Sequence, residues 1–214
     1  MYVPSHFKED RGPELHAMMR AIAIGTLITH GADGLEASHI PLLIDPEPGP
    51  YGTLRGHIAR GNGQWKRAAG GANGGGGEAL VTFLGPDAYV TPTWFPSKRE
   101  TGKVVPTWNY IAVHAYGPLH FFEDRAPLLD IVTRLTNAHE SRRAPPWAVT
   151  DAPADYIDAM LKAIVGFELP IARLEGKWKL SQNKSAADIA GIRDGLAAEA
   201  AEDAQALARA MAGT

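Results

Sequence analysis

The stretch Val104-Val-Pro-Thr-Trp-Asn-Tyr-Ile-Ala-Val-His-Ala-Tyr-Gly-Pro-Leu-His-Phe-Phe122 is rich in β-branched and aromatic residues and predicts one long β-strand, bent at Gly117-Pro118. Its first part, Val105-Pro-Thr-Trp-Asn-Tyr110, is dense in side chains that hydrogen-bond or stack. A second segment of this kind, Glu175-Gly-Lys-Trp-Lys-Leu-Ser-Gln-Asn-Lys184, ends another apolar run. Because stability alone rarely requires that mixture, the two segments predict a planar ligand with polar edges and a phosphate.

Shorter apolar runs around this strand bring the total to six or seven strands, predicted at 21–29, 35–45, 52–60, 79–84, 88–94, 104–122 and 165–180. Helical patterns fall at 13–20, 64–69, 125–141 and 154–164, and a long Ala-rich helix begins at Ser185. Most strands follow one another directly, which favours antiparallel pairing over a doubly wound sheet. We predict an α+β fold, mainly antiparallel β, in which a small closed barrel carries peripheral helices and a C-terminal helix.

The composition is that of an ordinary globular protein with one sizeable core. The chain has 214 residues, of which 45% are hydrophobic, and a formal net charge of −3 that argues against a broad basic surface for nucleic acid. The absence of cysteine excludes disulfides and thiolate chemistry. No apolar run approaches the ~20 residues that cross a bilayer, and residues 1–10 lack the features of a signal peptide. We expect a cytoplasmic protein without membrane contacts, with one domain over 1–184 and a helix over 185–214 packed on the barrel or on a partner.

Several common chemistries have weak support. None of the eight histidines falls in a tight metal-binding pattern, although His114 and His120 share a face if their strand is regular. Ser97 and Ser181 lack the Gly-x-Ser-x-Gly turn of a nucleophile. The glycine-rich stretch 70–77 lacks the Gly-Lys-Ser/Thr ending of a phosphate-binding P-loop and predicts a flexible insertion. We therefore expect no metal site and name no catalytic residue.

The segment Gly56-His-Ile-Ala-Arg-Gly-Asn62 is more suggestive. A strand that ends in Arg60, followed by a turn with Asn62, brings a guanidinium and free backbone N–H groups to one rim, an arrangement that suits a phosphate. Gln64 and Lys66 extend the same turn. The alternative is a solvated strand end that Asn62 caps.

Aromatic residues beside prolines mark Tyr89-Val-Thr-Pro-Thr-Trp-Phe-Pro-Ser-Lys98. The prolines remove ladder donors and make the chain leave the sheet, where Trp94 and Phe95 can wall a pocket. A rigid edge or a contact between subunits explains the same residues.

Together the motifs resemble the PaiB-like FMN-binding negative transcriptional regulators, over residues 1 to about 190. The resemblance rests on five segments in the same order: Met1-Tyr-Val-Pro-Ser-His-Phe7, Gly56–Arg60, Tyr89–Lys98, Val105–Tyr110 and Glu175–Lys184. That family is similar to the FMN-binding split β-barrels, which include pyridoxamine-phosphate oxidases and flavin reductases. The resemblance implies FMN as the cofactor and a homodimer with two flavin sites at its interface.

The resemblance also implies roles for individual residues. Those expected to line the flavin are His39, Ile40, Leu42, His57 and Ile58. Arg60 and Asn62 are expected to hold the phosphate, with Gln64 and Lys66 near. The residues expected to border or close the site are Trp94, Lys98, Thr107, Trp108, Asn109, Tyr110, Gln182, Asn183 and Lys184. Two departures affect the phosphate loop: the enlarged loop at 70–77, and Gly63 in place of a proline.

The leading hypothesis is an FMN-binding dimer that performs flavin redox chemistry or senses flavin. Lys98, Lys177 and Lys184 are candidates to stabilise a reduced anionic flavin. No residue stands out as an acid or base for a substrate, so the sequence names no reaction. Two alternatives remain: a repressor that binds DNA directly, disfavoured by the negative charge and the lack of a recognition-helix pattern, and a heme protein with His114 or His120 as axial ligand.

Overall fold

The computed structural model describes residues 1–68 and 77–213, so the predicted insertion at 70–77 falls, apart from Gly77, outside the described residues. The helices are α1 Gly12–Ile22, α2 Gln64–Arg67, α3 Ser97–Thr101, α4 Arg125–Glu140, α5 Ala154–Lys162, α6 Ala186–Ala198 and α7 Glu202–Met211. The strands are β1 Lys8–Glu9, β2 Ile24–Gly31, β3 Gly34–Pro41, β4 Leu43–Asp45, β5 Thr53–Ala59, β6 Glu78–Val90, β7 Thr107–Pro118, β8 His120–Phe122, β9 Ile164–Pro170 and β10 Arg173–Lys179.

The strands form two sheets, one with the order β1-β10-β7-β6-β2-β3 and one with the order β4-β5-β9-β8. Antiparallel pairing joins β2 to β3, with Ile24 opposite Pro41, and joins β5 to β9, with Thr53 opposite Pro170. The predicted antiparallel character is therefore confirmed.

Three short breaks carry the chain from one sheet to the other, between β3 and β4, β7 and β8, and β9 and β10. The predicted bend at Gly117-Pro118 is the second of them. A Cβ at Gly117 would lie 2.1 Å from the carbonyl oxygen of Pro170, so only glycine fits at this crossing. The other two breaks divide strands that the sequence predicts as continuous, 35–45 and 165–180, because Pro41 and Pro170 interrupt their ladders.

Two further predictions are wrong. The runs 79–84 and 88–94 form one strand, β6, rather than two around a turn at Gly85-Pro86. Pairing with β2 covers residues 80–82, so Pro86 lies beyond that ladder, where its missing N–H removes no bond to β2. The long C-terminal helix is two helices, because the backbone becomes extended at Glu199 and lets α7 fold back on α6.

The chain divides into two compact units. The terminal unit comprises 1–15, 84–113 and 175–214, and the central unit comprises 16–83 and 114–174, as far as these are described. Leu54 and Phe167 are fully buried in the central unit, and Leu180 and Leu207 in the terminal unit. Residues on both sides of the predicted boundary at 184 belong to the terminal unit.

Candidate functional site

A cavity of about 510 Å³ opens between β3 and β5 in the central unit. We call it the β3–β5 cavity. It is lined by 37–41, 57–59, Asn62 and Ile164. Its volume falls within the ~300–1,000 Å³ of typical small-molecule sites. Among its lining residues are five of those predicted to contact flavin: His39, Ile40, His57, Ile58 and Asn62.

His57 is the most unusual group in this cavity. Its Nδ1 atom is buried, and no described residue offers it a hydrogen-bond partner. Burial lowers the pKa of His57, because desolvation disfavours the imidazolium. The side chain is therefore a neutral imidazole at neutral pH. Because buried polar atoms in proteins almost always have a partner, the unpaired Nδ1 of a residue that lines a cavity marks that cavity as a candidate ligand site.

Asn62 and Ser38 form the polar rim of the cavity. The Asn62 amide donates to the Ser38 hydroxyl at 2.8 Å, and its oxygen accepts from the backbone N–H of Gln64 at 3.0 Å. Asn62 thus satisfies a backbone N–H of its own turn and also holds Ser38 in place. Ser38 was not among the predicted site residues, since no motif marks a lone serine beside His39. The His39 ring is 2.9 Å from the Thr26 hydroxyl.

Four other residues predicted near the flavin lie outside the cavity lining. The Arg60 guanidinium donates to the carbonyls of Lys162 and Ile164 and to the Glu123 carboxylate. The other three are Leu42, Gln64 and Lys66. Leu42 is buried, and the Gln64 side-chain amide donates to the carbonyl oxygens of Leu27 and Glu36 and to the Thr29 hydroxyl. The Lys66 ammonium lies 5.1 Å from the centre of the Trp65 ring. Gln64 thus connects the turn to β2 and β3, and Arg60 connects it to Glu123 and to 162–164.

The two polar segments, 105–110 and 175–184, meet in the terminal unit through Lys179 and Ser181. Lys179 donates to the Thr107 hydroxyl at 2.7 Å and to the carbonyl oxygen of Trp108. The buried hydroxyl of Ser181 donates to the Asn109 side chain at 2.9 Å. Lys179 and Ser181, which make these contacts, were not among the predicted site residues.

Lys177, Lys179 and Lys184 form what we call the lysine cluster. Lys177 is buried, with its ammonium 5.0 Å from the centre of the Tyr110 ring, and Lys184 lies 5.7 Å from the Phe95 ring. Burial lowers the pKa of Lys179, and the other two lysines lower it further. Within 1–68 and 77–213, none of the three forms an ion pair with a carboxylate. An uncompensated cluster of this kind favours a bound anion.

The remaining predicted residues of the terminal unit either contact residues of the same unit or are exposed. Gln182 folds back on its own turn, accepting from the Leu180 N–H at 2.8 Å and donating to the Trp178 carbonyl at 2.7 Å. Trp94 contacts α6, and the side chains of Lys98, Trp108 and Asn183 are exposed. The predicted contacts of these residues with flavin stay predictions.

Residues 1–173 match the family model described as "Putative FMN-binding domain". The chain belongs to this family. It is 31% identical over 211 residues to the Bacillus subtilis protein "Protease synthase and sporulation protein PAI 2", covering 99% of this chain and 96% of that protein. It is 35% identical over 236 residues to an uncharacterized Aspergillus fumigatus protein, covering 92% of this chain and 90% of that one.

Solved structures with a similar fold include the flavocytochrome Anf3 from Azotobacter vinelandii, with a TM-score of 0.59, 12% identity and coverage of 88% of this chain and 78% of that one. The FAD and heme binding protein from Mycobacterium smegmatis matches with a TM-score of 0.57, 17% identity and coverage of 86% and 78%. At such identities the likeness shows the fold alone. The predicted family, the split β-barrel fold and FMN as the cofactor of the family are thereby confirmed.

The β3–β5 cavity of this FMN-binding family member fits its cofactor. Ile40 and Ile58 give the cavity an apolar lining for a flat ring, and the imidazole of His57 gives it a polar group for the edge of that ring. Among the described residues no lysine or arginine lines the cavity, so a cation for the phosphate is sought outside this lining. The described residues contain no group of three or more metal-binding side chains, and none of their helices is long and apolar enough to cross a membrane.

Proposed function

We propose that the protein binds FMN in the β3–β5 cavity and uses it in redox chemistry. The observation that carries the proposal is the buried, unpaired Nδ1 of His57 in the wall of a cavity that four other predicted flavin residues also line. A hydrogen bond to the polar edge of the flavin would give this nitrogen its partner. Transcriptional regulation and heme binding stay predictions, since no contact in the described residues favours either.

The chain's own residues orient the cofactor and exclude water from it. Ile40 and Ile58 supply apolar walls, His57 fixes the ring orientation, and the Asn62–Ser38 hydrogen bond keeps the rim in shape. Bound FMN would supply the capacity to accept or donate two electrons. Because His57 is neutral, it can donate or accept one hydrogen bond without adding charge beside the ring.

We assign the phosphate to the turn 59–62, with Arg60 as its cation. Ala59 and Asn62 line the cavity, and Arg60 stands between them in the chain. The guanidinium contacts Glu123 in a half-exposed ion pair, with side-chain exposures of 38% and 50%. Ion pairs of this exposure contribute only ~0–1 kcal/mol, so a phosphate dianion can displace Glu123.

A titration of flavin-free protein with FMN and with riboflavin tests the proposal. We expect FMN to bind more tightly than riboflavin, and Arg60→Ala to weaken FMN about tenfold or more while leaving riboflavin nearly unchanged, since a charge-assisted hydrogen bond contributes ~1.5–3 kcal/mol. Quenching of flavin fluorescence measures both affinities.

Glu123→Ala is the matched control, because it frees Arg60 from its ion pair and should strengthen FMN binding alone. Equal losses for the two flavins in Arg60→Ala would remove the phosphate from this turn. Failure of the unmodified protein to bind either flavin would remove the proposed function.

We also propose that the protein is a homodimer, held through exposed aromatic side chains of the terminal unit. Tyr89 of β6 and Trp108 of β7 are 48% and 54% exposed, and their rings meet edge to face at 6.0 Å. Leu84 on β6 is also exposed, at 62%. Aromatic side chains clustered on an exposed sheet are typical of interfaces between subunits.

We expect Trp108→Lys to convert the dimer to a monomer, because a central aromatic anchor commonly contributes ~2 kcal/mol or more and a buried lysine adds a desolvation cost. Light scattering after size-exclusion chromatography measures the mass. Tyr156→Lys is the control, since Tyr156 of α5 is equally exposed, at 55%, but lies in the other unit. A dimer that survives Trp108→Lys, or that dissociates equally in Tyr156→Lys, would refute this interface.

A further inference from the structure

Two further cavities of the central unit lie next to the β3–β5 cavity, each sharing lining residues with the one before it. The second cavity, of about 440 Å³, shares Pro41 and His57 with the first and has Trp147 on its wall. The third, of about 630 Å³, shares Leu135 and His139 with the second and lies between the end of α1, β4 and α4. The shared residues make the three cavities neighbours in one row, with His57 at the junction nearest the proposed flavin.

The third cavity is strongly basic, and we call it the basic recess. Arg20, Arg134, His139 and Arg142 line it, and no carboxylate of the described part of the chain does. Arg134 is held by Asp45 and by an acid one turn earlier on α4. Arg20 and Arg142 form no ion pair with any residue of 1–68 and 77–213. The recess therefore keeps at least two arginines available for an anion from outside the protein.

The second cavity offers a flat, largely apolar wall. Trp147 is 46% exposed there, and Val132 and Leu135 of α4 stand beside it. The acid that lines it among the described residues, Glu140, is already engaged, because it pairs with Arg143 and accepts the backbone N–H of Trp147 at 3.2 Å. A half-exposed indole in a cavity favours stacking against a planar ring.

We propose that the second cavity and the basic recess together bind a planar aromatic molecule that carries a carboxylate or a phosphate. The anionic group lies in the recess with Arg20 and Arg142, and the ring lies against Trp147. The inference rests on the proposed function in one respect, that the ligand becomes the neighbour of FMN across His57. Binding of the ligand itself needs only Arg20, Arg142 and Trp147.

Calorimetric titration of the FMN-loaded full-length protein tests the site with three naphthalene probes. These are naphthalene-1-carboxylate, 1-naphthyl phosphate and the neutral 1-naphthalenemethanol. We expect at least one of the two anions to bind about tenfold or more tightly than the alcohol, because two arginines favour the charge. The tighter of the two anions identifies the group that the recess prefers.

Substitutions in the recess locate the binding. Arg20→Ala and Arg142→Ala should each weaken the anions about tenfold and leave the alcohol unchanged. Arg142→Gln, which keeps an apolar stem, should give the same result if the alanine variant is poorly folded. The matched control is Arg143→Ala, since Arg143 is the neighbour of Arg142 but pairs with Glu140 and does not line the recess.

Three results would overturn the inference: no anion binding by protein that does bind FMN, equal affinity for the anions and the alcohol, or equal losses in Arg142→Ala and Arg143→Ala. FMN titrations of the same variants separate this site from the flavin site, because their FMN affinity should stay that of the unmodified protein. Arginine-dependent anion binding by protein that fails to take up FMN would support this site and reject the proposed function.

Discussion

Replacing His57 by leucine is expected to weaken FMN binding by about ten- to one-hundred-fold and, at the same time, to raise the thermal stability of the flavin-free protein. Without ligand, the buried Nδ1 has no hydrogen-bond partner in the described structure, a condition that costs ~1–3 kcal/mol. Leucine removes this cost and adds apolar contacts in the wall. With ligand, the same substitution leaves a polar atom of the flavin unpaired, and the penalty is transferred to the complex.

The opposite signs of the two effects separate a ligand-binding role from a structural one. A His57 that only supported the fold would lower both stability and affinity when replaced. Flavin titration and thermal unfolding of the same preparations measure the two quantities. His30→Leu is the control, since His30 is an exposed residue near the end of β2 and lies outside the β3–β5 cavity. Unchanged FMN affinity in His57→Leu would exclude His57 from the flavin site.

The buried imidazole also gives stability a dependence on pH. Burial places the folded pKa of His57 below its ordinary value of about 6.5, so the unfolded chain takes up a proton at a higher pH than the native protein does. The contribution of neutral His57 to stability is therefore complete above that ordinary value and is lost as the pH falls toward the folded pKa. Urea unfolding between about pH 7.5 and pH 5 should show the unmodified protein losing more stability than His57→Leu. An equal loss in both would mean that His57 titrates alike in the folded and unfolded chains.

The sequence predicted those features that depend on local chemistry. A glycine followed by a proline bends the strand at 117–118, and strands that follow one another directly pair antiparallel, as β2 and β3 do. The breaks after Pro41 and Pro170 were missed, because an apolar run looks the same whether it stays in one sheet or passes to a second. Only the packing of the complete chain decides between these outcomes.

Arg60 shows why the site was harder to predict than the fold. Its position at a strand end fits phosphate binding, and the sequence near it contains no carboxylate at a suitable spacing. In the folded protein, however, Glu123 and two carbonyl oxygens from 162–164 accept three of its five N–H groups, and all three acceptors lie more than sixty residues along the chain. His57 was hard to single out for a different reason. Nothing in the sequence separates it from His39, and only the structure shows that its Nδ1 atom is buried without a hydrogen-bond partner.

The second large effect is expected from Gly191→Ala, which should lower the free energy of unfolding by about 2–3 kcal/mol through overpacking. A Cβ at Gly191 would lie 2.2 Å from the carbonyl oxygen of Trp94, and one at Gly195, a turn later on α6, would lie 2.3 Å from the Trp94 ring. The two glycines thus let α6 approach Trp94 closely. In an exposed helix the same change would stabilise the protein by ~1 kcal/mol, because alanine has the higher helix propensity.

Thermal unfolding measures the effect, at ~2–4 °C per kcal/mol for a chain of this size. Gly12→Ala is the matched control: Gly12 begins α1 in the same unit and has no described atom within 4 Å of an added Cβ. We expect it to be neutral or slightly stabilising, whereas Gly191→Ala should also change the near-ultraviolet circular dichroism as Trp94 shifts. If Gly191→Ala matched Gly12→Ala, α6 would not be held against Trp94. A clash with the backbone oxygen of Trp94 is relieved only by moving α6 or the segment that carries Trp94. The sign of the stability difference between Gly191→Ala and Gly12→Ala therefore tests whether the contact of α6 with Trp94 needs glycine.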